Sequence, residues 1–111
     1  MTSKKEDDIT LSKLRDFKNP DVKLEQYSTP SEIAADILWE ACLNSDISGK
    51  KILDAACGPG VFGIGALLLG AKEVYFVDLD KKILKTAKEN IREIKKNYEL
   101  RIVSREITEK R

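Results

Sequence analysis

The chain has 111 residues, of which 35% are charged and 41% hydrophobic, and its formal net charge is +1. This length fits one domain at most, and the composition excludes a disordered tail, a collagen-like rod and a membrane bundle. The sequence has no histidine and only two cysteines, which excludes an imidazole base and a metal site built from these residues. Two cysteines fifteen residues apart make no disulfide framework, which predicts a reducing, cytoplasmic setting. The polar N-terminus lacks the apolar stretch of a signal peptide, and we expect no membrane partner.

The first predicted element is a short amphipathic helix over residues 9–17. Its apolar residues recur at helical spacing and are Leu11, Leu14 and Phe17. Residues 1–8 are densely charged, and we expect them to fray. Asn19-Pro20 ends the helix, because a residue that precedes proline avoids the helical conformation.

A second helix is predicted from Pro30 to about Asn44. Thr29 is a typical N-cap residue, proline suits the first helical position, and Glu32 three residues after Thr29 completes a capping box. One apolar stripe should face the core, and it comprises Ile33, Ala34, Ile37, Leu38, Ala41 and Cys42.

Strands and helices alternate from residue 51 onward. A short apolar strand over 51–56 leads through a glycine turn into a wholly apolar helix over 61–69. A second strand over 73–77 is followed by a longer helix that Asp80 caps, and a third strand begins at 100–103. This β-α-β-α-β order predicts a parallel sheet with crossover helices, an α/β fold.

The turn between the first strand and its helix is the most informative part of the sequence. Asp54 ends the strand, and Gly58 and Gly60 allow the backbone to approach a ligand with which a Cβ atom would collide. The helix that follows presents its N-terminal amides to the same ligand. Asp78 ends the second strand eighteen residues after Gly60, where a carboxylate can accept hydrogen bonds from both hydroxyls of a ribose.

Two classes of cofactor use such a layout. Residues 58–63 match the dinucleotide fingerprint GxGxxG, so a small NAD-binding domain is one hypothesis. Asp54 favours the other class, because a carboxylate repels a pyrophosphate. S-adenosylmethionine carries no phosphate, and its ammonium, sulfonium and ribose suit a pocket lined by carboxylates. A third reading gives Asp54 no ligand at all and lets it cap the glycine loop.

Between about residue 50 and residue 103 the chain resembles the class I S-adenosylmethionine-dependent methyltransferases, through this glycine motif and the spaced Asp78. A narrower resemblance lies upstream, where the segment LEQYST at 24–29 is similar to one in an archaeal and eukaryotic family that methylates adenine N6 in ribosomal RNA. The resemblance implies the first half of a Rossmann-like methyltransferase fold, with about three parallel strands after two N-terminal helices. It divides the chain into an N-terminal helix and cofactor-covering segment, residues 1–30, and half of a cofactor-binding domain, residues 31–111.

The same resemblance implies a set of cofactor contacts. Asp54 and the backbone of Gly58–Gly60 would hold the methionine end of S-adenosylmethionine. Asp78 would hold the ribose, and Leu79 would pack on the adenine. The other side of the cofactor would be lined by Gln26, Tyr27 and Thr29.

The chain departs from this family in three places. The family commonly has glycine where Ala56 stands, and an acid at the tip of the third strand, where we expect Arg105 or Glu106 here. Its catalytic Asn-Pro-Pro-aromatic tetrad follows a fourth strand, and this chain contains no Pro-Pro. No catalytic residue is therefore identified.

The resemblance as a whole implies the cofactor-binding part of a methyltransferase acting on adenine N6 in RNA, or DNA. We expect the chain to be truncated before the catalytic motif, inactive alone, and completed by a separate C-terminal half or partner subunit. The alternative is a module that binds S-adenosylmethionine or a partner without chemistry.

Overall fold

A computed structural model of the chain describes residues 3–16, 29–98 and 103–108. The elements within these ranges are, in order, α1 (Lys4–Ser12), α2 (Ser31–Leu43), β1 (Lys51–Ala55), α3 (Val61–Leu68), β2 (Glu73–Asp78), α4 (Lys81–Tyr98) and β3 (Val103–Thr108). The strands form one parallel sheet in the order β1-β2-β3. The predicted α/β fold, with two helices before the first half of a Rossmann-like sheet, is confirmed.

The register of the sheet brings two acids together at the carboxyl ends of neighbouring strands. Asp54 of β1 pairs with Phe76 of β2, and Asp78 lies two residues further along β2. Because side chains two residues apart on a strand share a face, both acids lie on the face that carries Phe76. Helix α3 packs on this face, and right-handed crossovers place α4 on it as well.

The third strand extends further than expected. Arg105 and Glu106 pair with Tyr75 and Phe76 in the middle of the sheet, so neither residue lies at the strand tip. Thr108 is the residue that pairs with Asp78. The expected tip at Arg105 or Glu106 followed from the place of the acid in the resembled family, but the parallel ladder continues to Thr108 whatever the side chains, because backbone groups make it.

Helix α1 begins earlier than predicted, and residues 4–8 do not fray. The side chain of Ser3 accepts a hydrogen bond from the amide of Glu6, which caps the helix. Asp7 is only 1% exposed. The helix ends at Ser12, so Leu14 lies beyond it, and Phe17 lies outside the described residues.

Helix α2 forms where predicted but differs in its cap and its buried face. Its N-cap residue is Pro30, without a side-chain hydrogen bond, so the Thr29 capping box is wrong. The face toward the core carries Ala34, Ala35 and Leu38, whereas Ile33 and Ile37 are about half exposed, at 51% and 52%. The buried face of α2 therefore shares Ala34 and Leu38 with the predicted stripe, but it includes Ala35 in place of Ile33 and Ile37.

One core lies between the helices and the sheet. Its largest fully buried apolar side chains are Phe76, Ile64, Leu69 and Val74. Each such side chain stabilises the fold by roughly 1.5–3 kcal/mol through burial alone. Cys57 is buried in this core, and Trp39 and Cys42 pack against the core. Among the described helices, none combines the length and the apolar character that crossing a membrane requires.

Candidate cofactor-binding site

The turn between β1 and α3 has an unusual backbone. Ala56, Gly58 and Gly60 all have left-handed φ angles, of 55°, 55° and 96°. The amide of Cys57 donates to the carbonyl of Val77 at 2.9 Å, and the amide of Gly60 donates to the carbonyl of Cys57 at 3.0 Å. The first bond holds the turn against the end of β2, and the second closes the turn on itself.

Two glycines of the motif are also required by packing. A Cβ atom on Gly60 would lie 3.3 Å from side-chain atoms of both Ile64 and Phe76. A Cβ atom on Gly63 would lie 2.2 Å from Cε1 of Phe76, which no real contact allows. Gly63 therefore lets α3 approach the sheet, which is the packing role of the third glycine in GxGxxG turns.

Asp78 binds the turn from the tip of β2. Its Oδ2 accepts a hydrogen bond from the amide of Gly58 at 2.9 Å, and its Oδ1 accepts one from the amide of Asp80 at 2.9 Å. Asp80 in turn accepts from the amide of Lys82 and caps α4, as predicted. Both oxygens of Asp78 thus already hold backbone amides, which fixes the carboxylate beside the glycine turn.

Asp54 lies on the other side of the turn and accepts a hydrogen bond from the amide of Gly63 at 2.9 Å. Burial raises the pKa of Asp54 to about 6, the hydrogen bond from Gly63 opposes this rise, and the nearby charge of Asp78 adds to it. Asp54 therefore holds the first turn of α3 at the tip of β1. The ionised carboxylate of Asp54 is therefore partly desolvated and lies near the charge of Asp78, so a bound cation would stabilise it and a pyrophosphate would destabilise it.

The structure brings four of the predicted site residues together: Asp54, Gly58, Gly60 and Asp78. Leu79 follows Asp78 directly, and its side chain is 42% exposed beside the strand tip. Thr29 lies, partly buried, immediately before the N-cap of α2. Gln26 and Tyr27 lie outside the described residues.

Sequence reasoning missed one polar residue next to this turn. Asn90 of α4 is fully buried, and its Nδ2 donates to the carbonyl of Pro59 at 2.9 Å. The signal was present in the sequence, because residues 83, 87, 90 and 94 fall on one face of the helix and only Asn90 among them is polar.

Comparisons with known proteins by sequence find similarity to methyltransferases. A family model described as ribosomal protein L11 methyltransferase (PrmA) matches residues 36–111. An rRNA N(6)-adenosine-methyltransferase from Caenorhabditis elegans is 34% identical over 82 residues, which are 73% of this chain and 38% of that protein. A ribosomal protein L11 methyltransferase from Psychrobacter is 51% identical, but only over 47 residues, 42% of this chain.

Solved structures extend the similarity to almost the whole chain. A Pyrococcus horikoshii protein, described as a candidate RNA methyltransferase, superposes with a TM-score of 0.85 at 46% identity. That match covers 97% of this chain and 52% of the other. A Thermoplasma acidophilum protein matches with a TM-score of 0.70 at 27% identity.

A further relative was found by sequence alone. This uncharacterized Methanocaldococcus jannaschii protein is 36% identical over 94 residues. The chain spans about half the length of these relatives, or less.

Proposed function

The chain belongs to the ribosomal protein L11 methyltransferase (PrmA) family of class I, S-adenosylmethionine-dependent methyltransferases, and on this premise we propose that it binds S-adenosylmethionine for the methylation of adenine N6 in RNA. The observation that carries the cofactor proposal is the pair of carboxylates at the strand tips, Asp54 and Asp78, with the left-handed glycine turn between them. We also propose that the protein is cytoplasmic, as the sequence predicts.

The two carboxylates fit the cofactor by charge. Asp54 has a pKa raised to about 6, so at neutral pH it carries a negative charge that nearby protein groups do not fully compensate. The ammonium and sulfonium of S-adenosylmethionine supply positive charge, and Asp54 is the residue expected to bind the ammonium. An NAD pyrophosphate would add negative charge at the same place, which makes the NAD-binding alternative weaker.

Asp78 is the residue expected to bind the ribose hydroxyls. Its oxygens accept the amides of Gly58 and Asp80, and each carboxylate oxygen has a second lone pair for a further bond. The exposed side chain of Leu79 is expected to pack on the adenine, while Gln26, Tyr27 and Thr29 are expected to line the opposite side of the cofactor. When bound, S-adenosylmethionine supplies the electrophilic methyl group, and the residues of this chain bind and orient it.

The extent of the similarities favours RNA as the substrate. The individual L11 methyltransferases match about two fifths of the chain and their family model matches residues 36–111, whereas the rRNA adenosine methyltransferase matches 73% of the chain and the Pyrococcus horikoshii structure 97%. DNA adenine is the second substrate of the same chemistry, and a module without chemistry is the alternative function.

The cofactor proposal is tested by calorimetry with S-adenosylhomocysteine, S-adenosylmethionine and NAD. We expect both adenosyl compounds to bind more tightly than NAD. Asp78→Ala should weaken binding by about 1.5–3 kcal/mol, since a hydrogen bond to a charged group is lost. The exposed Asp46 provides the matched control, and Asp46→Ala should leave the affinity unchanged. Equal affinity of wild type and Asp78→Ala would remove Asp78 from the site.

A further inference from the structure

Asn90 joins two separate segments of backbone through one buried side chain. Its Oδ1 accepts a hydrogen bond from the amide of Arg15 at 2.9 Å, and its Nδ2 donates to the carbonyl of Arg15 at 3.0 Å. The same Nδ2 donates to the carbonyl of Pro59 at 2.9 Å. Arg15 lies in the chain that leaves α1, and Pro59 lies between the two glycines of the cofactor turn.

We propose that Asn90 is a positioning residue for the cofactor site, which sets the chain after α1 against the glycine turn. Arg15 lies in the chain that leaves α1, and Pro59 belongs to the turn that is expected to hold the methionine end of the cofactor. The proposal rests on the proposed function for its consequence in ligand binding. The connection itself is defined by the three hydrogen bonds.

Asparagine is the one side chain of this size that satisfies all three groups. It offers one carbonyl oxygen as acceptor and an amide nitrogen with two protons to donate. The partners also fix the orientation of the amide, because two carbonyls must face Nδ2 and one N–H must face Oδ1. Aspartate would keep the bond to the Arg15 amide but would place an oxygen against two carbonyls. Leucine would leave all three backbone groups without this partner.

A second set of contacts at Arg15 can be separated from the first. The guanidinium of Arg15 forms ion pairs with Glu89 and Glu93 on the surface of α4. Exposed pairs of this kind contribute little. Arg15→Ala removes them but keeps the backbone N–H and C=O that Asn90 binds, which makes it a matched control for the position.

The connection is tested first without ligand, by amide hydrogen exchange on the full chain. In Asn90→Leu we expect the amide of Arg15 and the hydrogen-bonded amides of the turn to exchange about tenfold faster or more, the factor expected when a buried hydrogen bond is lost. The turn amides are those of Cys57, Gly58, Gly60 and Gly63. Ile94→Ala, a buried apolar change one turn further along α4, controls for a general loss of stability. Arg15→Ala should leave exchange in the turn unchanged. Equal acceleration of the turn in Asn90→Leu and Ile94→Ala would overturn the proposal.

The consequence for binding is tested by calorimetry with S-adenosylhomocysteine. At denaturant concentrations that equalise the stability of the variants, Asn90→Leu should bind about tenfold more weakly than Ile94→Ala. Equal affinities would show a purely structural role and overturn the positioning role. If wild type binds no S-adenosylhomocysteine, the proposed function fails, while the exchange experiment still decides whether Asn90 couples the segments. If Asn90→Leu does not fold, Asn90→Asp takes its place in both experiments, with the same expected direction.

Discussion

Ala56 has the left-handed φ of 55° at the position where the resembled family commonly has glycine. The left-handed conformation costs a residue with a Cβ atom about 1–2 kcal/mol, and a glycine at this position would avoid that cost. Glycine has more conformational freedom in the unfolded chain, which offsets about 0.5–1 kcal/mol of the improvement. We expect Ala56→Gly to raise the free energy of unfolding by about 0.5–1 kcal/mol in urea titrations. Ala55→Gly, in the adjacent strand position, should lower it. A loss of stability in both variants would contradict the strain at Ala56.

Asp54 is expected to reduce the stability of the ligand-free protein. The pKa of Asp54 rises from its ordinary value of 3.8 to about 6 on folding, chiefly through burial. Between these values only the folded protein holds the proton, so stability falls as the pH rises through this window and the full cost is present above pH 6. Asp54→Asn keeps an acceptor for the amide of Gly63, and we expect it to be more stable than wild type by about 1–3 kcal/mol at pH 8.

The same substitution should act in the opposite direction on binding. Asp54→Asn removes the charge that is expected to attract the ammonium, so affinity for S-adenosylhomocysteine should fall, although the fold is more stable. Most of the gain in stability should be lost by pH 4, where the folded carboxyl is protonated and the unfolded one, with its ordinary pKa of 3.8, is about half protonated. Asp46→Asn, at an exposed site, serves as the control. A stability difference that is the same at pH 4 and pH 8 would contradict a titration of Asp54.

Helix α3 contains two glycines whose added methyl groups would meet different neighbours. A Cβ atom on Gly63 would meet the ring of Phe76 at 2.2 Å, and this ring is fully buried. A Cβ atom on Gly65 would meet the terminal methyl of Leu38, also at 2.2 Å, but at the end of a flexible side chain. We expect Gly63→Ala to destabilise by about 1–3 kcal/mol through overpacking. Gly65→Ala should cost less, because alanine favours the helix by about 1 kcal/mol and Leu38 can adjust. Equal losses in urea titrations would contradict this difference.

The elements show where sequence patterns suffice and where they do not. The alternation of strands and helices after residue 51 was predicted correctly, because each apolar run has a single geometry that buries it. The capping box was assigned to Thr29 and Glu32 although Ser3 and Glu6 fit the same pattern, and the structure has its side-chain cap at Ser3. Local patterns cannot choose between two such matches, since the choice depends on how each helix packs.

The candidate site divides in the same way. Asp54, Gly58, Gly60 and Asp78 were found because their roles depend on local spacing, at strand tips and in one turn. Asn90 was missed because its partners lie 75 and 31 residues away in the sequence. Only the folded chain brings Arg15 and Pro59 to the same side chain.

The sheet as a whole presents an open side within the described ranges. Strand β1 pairs with β2 along one edge, and Leu53 in its middle is 67% exposed. Leu53 belongs to the face opposite Asp54 and Phe76, away from α3. Parallel sheets occur almost only with both faces covered, so the open face at Leu53 is typical of a surface that another part of a fold covers. The relatives, in which this chain matches about half the length, have further polypeptide that could cover it.

Methyl transfer to an exocyclic adenine amine requires the amine to be held in line with the sulfonium. Such positioning can supply about 7–11 kcal/mol of a barrier. In the resembled family an Asn-Pro-Pro-aromatic tetrad provides it, and this chain has neither a Pro-Pro nor a histidine to act as a base. The two best-placed carboxylates, Asp54 and Asp78, are already assigned to the cofactor. We therefore expect the 111-residue chain to bind S-adenosylmethionine but to transfer no methyl group to RNA.

This expectation is tested with tritiated S-adenosylmethionine and ribosomal RNA. The chain alone should give no incorporation, and addition of the part of the Pyrococcus horikoshii relative that this chain does not match should restore it, because we expect that part to cover the open side at Leu53 and to supply the missing positioning groups. Leu53→Asp should abolish the restoration by placing a charge in the joined surface, while the exposed Lys72→Asp should not. Turnover by the chain alone would show that its own residues position the amine. Restoration that Leu53→Asp leaves unchanged would show that the two halves meet elsewhere.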